Sequence, residues 1–143
     1  MKMATTRTAT TVWEGSLFEG AGKVTLDSSG LGTYDVTWVA RSQEPSGKTS
    51  PEELIAAAHS SCFSMAFSNG LADNGTPPTS LETSAEVEFT PGKGITGIKL
   101  TTRGVVEGLD NETFVSLAEA AKAGCPVSQA LAGTTITLDA ALA

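Results

Sequence analysis

The groups in this chain best suited to covalent chemistry are its two cysteines, Cys62 and Cys125, and its single histidine, His59. Two thiols, one attacking and one resolving, suffice for reversible disulfide chemistry once a fold brings them together. Their local contexts differ. Cys62 is followed by Phe63, Met65 and Ala66, so it reads equally well as a small apolar core residue. Cys125 directly precedes Pro126 and is expected at the N-cap of a helix, where free N–H groups and the helix dipole favour a thiolate. Local physics thus marks Cys125 as the more acidic thiol. His59 stands three positions before Cys62, near enough on one helical face for a Cys–His pair. A catalytic dyad usually draws its histidine from another element, oriented by Asn or Asp, so a satisfied buried histidine is the favoured reading. Two cysteines and one histidine supply only three soft ligands without finger or ribbon spacing, so no metal centre is expected.

These residues need elements to hold them. Ser50 to Gly70 reads as one long helix: Ser50 as cap, Pro51 at the first helical position, Glu53 where a capping box places a carboxylate. Capping is a sufficient structural reason for both Glu52 and Glu53. From Leu54 there is no charge until Asp73, so the helix is expected to be buried on most sides. Before it, residues 8–17, 23–27 and 33–40 alternate or carry β-branched and aromatic side chains, with glycine and serine breaks between them. They predict a three-stranded antiparallel meander, with Arg41 at the end of its third strand beside the polar loop 41–49. After it, Gly75 and Pro77-Pro78 stop the helix. Residues 81–90 and 95–107 form an alternating hairpin across Pro91-Gly92-Lys93-Gly94. Asn111 is expected to cap a helix that runs to Gly124 with Phe114, Leu117, Ala118 and Ala121 on one side. A turn of helix follows from Pro126, and residues 134–142 close the chain as a strand. The order βββ-α-ββ-αα-β defines an α+β class, with a long buried helix against antiparallel sheets.

With 143 residues and 40% hydrophobic content, the chain is expected to form a single domain, 1–143, with its own core. A net charge of −7 argues against a nucleic-acid partner. The opening residues lack a signal peptide's apolar run, and no stretch of about 18 apolar residues occurs, so the expectation is a cytoplasmic protein without a membrane association.

The segment Ser-Pro-Glu-Glu-Leu-Ile-Ala-Ala-Ala-His-Ser-Ser-Cys-Phe-Ser-Met-Ala-Phe-Ser from Ser50, with Ala-Lys-Ala-Gly-Cys-Pro-Val-Ser-Gln-Ala-Leu at 121–131, closely resembles the OsmC-like family of hydroperoxide reductases. Ala58-His59 and Cys62-Phe63-Ser64-Met65 resemble the OsmC branch rather than the organic hydroperoxide resistance branch. Val12-Trp13-Glu14-Gly15 and Ile136-Thr137-Leu138-Asp139 extend the similarity over nearly the whole length. The resemblance implies a thiol-dependent peroxidase of oxidative or osmotic stress defence. In it Cys62 attacks the peroxide and becomes a sulfenic acid, and Cys125 resolves it as a disulfide. An external dithiol, lipoyl in relatives, then reduces that disulfide. It also implies a supporting arginine and glutamate, which map to Arg41 and Glu52. No haem, flavin or metal is implied. Ten residues of straight helix span about 15 Å, too far for Glu52 to reach Cys62 of its own chain. The expectation is therefore an intertwined homodimer whose active sites are shared. Phe63, Met65 and nearby alanines are expected to favour an alkyl or aryl hydroperoxide. The alternative is a non-catalytic module of the same fold that carries a small apolar ligand; a purely structural role for both thiols is a third.

Overall fold

The computed structural model describes residues 3–143; of the opening segment, Met1 and Lys2 lie outside them. The chain forms two compact units, one ending at Pro51 and one spanning Glu52–Ala143.

In the first unit, strands β1 (Thr10–Glu14), β2 (Ala21–Thr25) and β3 (Thr33–Val36) pair as the expected antiparallel meander, with Trp13 opposite Gly22 and Val24 opposite Tyr34. The third strand is shorter than its β-branched content predicts. Thr37 leaves the sheet and its hydroxyl accepts the Ala40 N–H at 3.1 Å, starting a short helix α1 (Trp38–Ser42). A local cap prevails over strand propensity here. Arg41 consequently lies in the last turn of α1, not at a strand end, and the element order gains one helix.

Helix α2 (Pro51–Asp73) begins at proline as expected and runs three residues further than its sequence suggests. It ends in a Schellman arrangement: Thr76 N–H bonds the Leu71 carbonyl and Gly75 N–H the Ala72 carbonyl, each at 2.9 Å, with Gly75 at φ +84°. Within the chain only one stripe of α2 is fully buried, His59, Phe63, Phe67 and Leu71 at four-residue spacing. Ala57, Ser61, Met65 and Asn69 form an exposed stripe. Burial on most sides is thus not reached within one chain: small side chains remove the charge from α2 without supplying an apolar surface all round.

The second unit's sheet has the order β4-β5-β6. β4 (Ser80–Thr90) and β5 (Gly94–Val105) are the expected hairpin. Glu82, Ser84, Glu86 and Glu88 face solvent and Leu81, Ala85 and Val87 face inward. β6 (Ile136–Leu142) pairs parallel to β5, which corrects the all-antiparallel expectation. Between them α3 (Asn111–Gly124) and α4 (Pro126–Ala130) carry the chain back along the sheet, the long crossover that a parallel pair requires. Asp110, not Asn111, caps α3, accepting Thr113 N–H at 3.0 Å. Asn111 instead accepts the Leu142 N–H at 2.9 Å and ties down the end of β6. The core joins Phe63, Phe67 and Leu71 of α2 to Leu100 of β5 and to Phe114, Ala118 and Ala121 of α3, with Cys125 at its border. Among the described residues no helix is long and apolar enough to cross a membrane.

Candidate active site

Cys125 is the residue at which α3 becomes α4. Its N–H still closes the last turn of α3 on the Ala121 carbonyl at 2.9 Å, and its carbonyl opens α4 by accepting Gln129 N–H at 3.0 Å. Pro126 at the first position of α4 has no N–H to leave unpaired. These bonds fix the backbone of a fully buried residue, and its thiol faces Cys62 on α2. The two sulfurs lie 3.0 Å apart in a hydrogen bond, both as free thiols. Cys62 is partly exposed and packs against the core beside the buried Phe63; Cys125 is completely buried.

The sulfurs differ in acidity as well as access. Burial pushes the Cys62 thiol up, the hydrogen bond and charge of Cys125 push it further, and the Val127 N–H only partly opposes them. Burial pushes Cys125 up too. The hydrogen bond with Cys62, the N–H and hydroxyl of Ser128 and the Val127 N–H outweigh it and bring Cys125 below the ordinary thiol value. Cys125 makes no side-chain capping bond of normal geometry, so these first-turn groups act on its sulfur mainly as oriented dipoles. The expectation of a more acidic Cys125 at a helix N-cap therefore agrees with the geometry.

One helical turn from the sulfurs, His59 Nε2 lies 2.7 Å from Ser128 Oγ. His59 is fully buried and Ser128 nearly so. Burial lowers the histidine pKa, and Nδ1 has no hydrogen-bond partner among the described residues. His59 is thus buried as expected but only half satisfied, with Nε2 bonded across to α4 rather than paired with Cys62. Ser128 escaped notice in the sequence; its signal was its place three residues after Cys125, one turn along the same helix.

Glu52 lies in the first turn of α2 and is buried, 6% exposed. Arg41 lies in α1 of the first unit. Phe63 and Met65, both expected near a substrate, point in different directions: Phe63 is in the core and Met65 is 73% exposed. Two positions along a helix are about 200° apart, so they cannot line one pocket within a chain.

The profile described as OsmC-like protein matches residues 43–139. The chain belongs to the OsmC-like family. It is 44% identical over 130 residues to Peroxiredoxin OsmC of Escherichia coli (strain K12), covering 89% of this chain and 90% of that protein. Among solved structures, an organic hydroperoxide resistance protein OsmC from Legionella pneumophila superposes with a TM-score of 0.74 at 26% identity, covering 98% of this chain and 99% of that one. The organic hydroperoxide resistance protein OhrB of Bacillus subtilis shares the fold, with a TM-score of 0.66 at 24% identity over 95% of this chain and 98% of its own. This OsmC-like chain thus shares its fold with solved members of the family over nearly all of its length.

Proposed function

We propose that this chain is a thiol-dependent peroxidase that reduces organic hydroperoxides to alcohols, with Cys62 attacking and Cys125 resolving. The observation that carries the reading is a reduced pair of sulfurs 3.0 Å apart, of which only one is accessible. Acidity favours Cys125, but a peroxide can meet only Cys62. The hydrogen bond between them lets the proton pass to Cys125 and leaves Cys62 as the thiolate. The names of the relatives, a peroxiredoxin and an organic hydroperoxide resistance protein, support the same chemistry.

In the first step a Cys62 lone pair bonds the terminal peroxide oxygen and the O–O bond breaks. The alkoxide leaves as alcohol with the proton the thiol pair gives up, and Cys62 becomes a sulfenic acid. In the second, the Cys125 thiolate attacks Cys62 sulfur. The S–O bond breaks, hydroxide leaves as water with a proton from solvent, and a Cys62–Cys125 disulfide remains. An external dithiol, of lipoyl type in this proposal, reduces it by exchange. The electrons come from thiols throughout, so the cycle calls on no haem, flavin or metal. Arg41 supplies a permanent positive charge for the thiolate and the leaving oxygen, and Glu52 holds its guanidinium. The burial of Glu52 supports such a role, since a carboxylate out of water is retained only with partners. The sites are shared between two copies of the chain in the cytoplasm.

Stopped-flow reaction of the reduced protein with cumene hydroperoxide tests this. Wild type should consume peroxide with loss of both thiols, Cys62→Ser should not react, and Cys125→Ser should react once and accumulate sulfenic acid. Reaction no faster than a free thiol sinks the proposal. Loss of the first step in Cys125→Ser, with its retention in Cys62→Ser, reverses the two roles.

A further inference from the structure

Four residues on two helices make a closed set of contacts. His59 and Cys62 are one turn apart on α2, and Cys125 and Ser128 are one turn apart at the start of α4. The helices meet twice, through Cys62 Sγ to Cys125 Sγ at 3.0 Å and through His59 Nε2 to Ser128 Oγ at 2.7 Å. All but Cys62 are nearly or wholly buried. The sulfur contact is consumed in the reaction; the histidine–serine contact is not.

Proton placement gives the second contact a direction. A serine hydroxyl has one proton. Were Nε2 the bare nitrogen, Ser128 would donate to it and the proton of a neutral imidazole would sit on Nδ1, which is buried without a partner. An orphaned buried donor is costly. With the proton on Nε2, His59 donates to Ser128 and only a lone pair is left bare.

We propose that His59 and Ser128 are positioning residues for the thiol pair. Their buried hydrogen bond clamps the start of α4 to α2, so that the Cys125 sulfur is held within bond-forming reach of Cys62. The consequence for resolution of the sulfenic acid rests on the peroxidase proposed above; the consequence for thiol–disulfide equilibrium does not.

Two measurements on the full chain separate them. The first equilibrates the protein with reduced and oxidised glutathione, in which two protein thiols and one oxidised glutathione yield the Cys62–Cys125 disulfide and two glutathione thiols. The effective concentration of the pair should fall about tenfold in Ser128→Ala and in His59→Leu, the loss expected when one buried hydrogen bond that holds the two sulfurs together is removed. His59→Gln, which keeps a donor at that end, should recover most of it. The second follows sulfenic acid after a single equivalent of cumene hydroperoxide, by dimedone capture: in Ser128→Ala its decay to disulfide should slow by a similar factor relative to its formation. A wild-type equilibrium constant in Ser128→Ala overturns the proposal, and equal losses in His59→Gln and His59→Leu overturn the donor role of His59. If His59→Leu does not fold, Ser128→Ala against wild type decides the clamp and His59→Gln against wild type the donor role: a loss in His59→Gln like that of Ser128→Ala overturns it. A weakened glutathione equilibrium in a protein whose wild type consumes no peroxide keeps the clamp and removes only the peroxidase.

Discussion

His59 shows how much a single buried group can impose on this site. Its imidazole is enclosed on a stripe of α2 otherwise made of Phe63, Phe67 and Leu71, and burial disfavours the charged ring. In the unfolded chain the ring regains an ordinary pKa near 6.5. As pH falls through that value the unfolded state takes up a proton that the folded state refuses, so stability is intact above it and declines below it. Urea midpoints measured from neutral to mildly acidic pH should therefore fall, and His59→Gln should flatten that part of the curve. An identical pH slope in the two proteins would show that His59 does not govern it. The thiols present the reverse lesson. Acidity alone would favour Cys125 as the nucleophile, and only the difference in burial between the two sulfurs leaves Cys62 the accessible one that the proposed mechanism requires.

Among the elements, α3 leads directly into Cys125 and α4, and its Phe114 rests against Gly104 of β5. The fit there is tight: a Cβ at Gly104 would lie 2.6 Å from the ring of Phe114 and 2.9 Å from Leu81. Phe114 is fully buried with its ring tilted against that of Phe67 of α2, centroids 4.8 Å apart, so moving it away would disturb the core. Gly104→Ala should cost about 1–3 kcal/mol through overpacking, read as a lower denaturant midpoint with an unchanged slope. If the variant is as stable as wild type, α3 can shift on the sheet, and the position of Cys125 depends less on this contact than its geometry implies. Local signals predicted α3 and its apolar side, the α2 start and stop, and the outward carboxylates of β4. They missed α1, where a threonine cap outweighed strand-forming neighbours, and the parallel β6, whose partner is chosen by a crossover that no short window contains.

At the scale of the molecule, α2 is uncharged from Leu54 to Ala72 and yet leaves Met65 73% exposed. The first unit likewise exposes Val12 at 61%, Phe18 at 69% and Leu31 at 77%. Apolar surface of this kind on an acidic chain fits a partner that covers it, and the proposal of sites shared between two copies names a second copy of the chain. Analytical ultracentrifugation should give a dimer at working concentration, and Met65→Glu should shift it toward monomer if the α2 face is the contact. A well-folded, active monomer would dismiss shared sites and with them the assignment of Glu52 to a partner's Cys62.

Taken alone, the residues determined what depends on neighbours within a turn or two: a proline-started helix, a glycine stop, a cysteine poised to acidify at a helix N-cap, and a second cysteine on a charge-free helix. Such features follow from backbone hydrogen bonding and side-chain size, which short segments express by themselves. Tertiary structure decided the rest. Core packing of α2, α3 and β5 brings together thiols far apart in sequence, selects the stripe of α2 that is buried, and sets His59 against a serine that its own helix could never have supplied. The chemistry proposed for the pair depends on a separation of 3.0 Å and on a difference in burial, and both are properties of packed surfaces rather than of residue order.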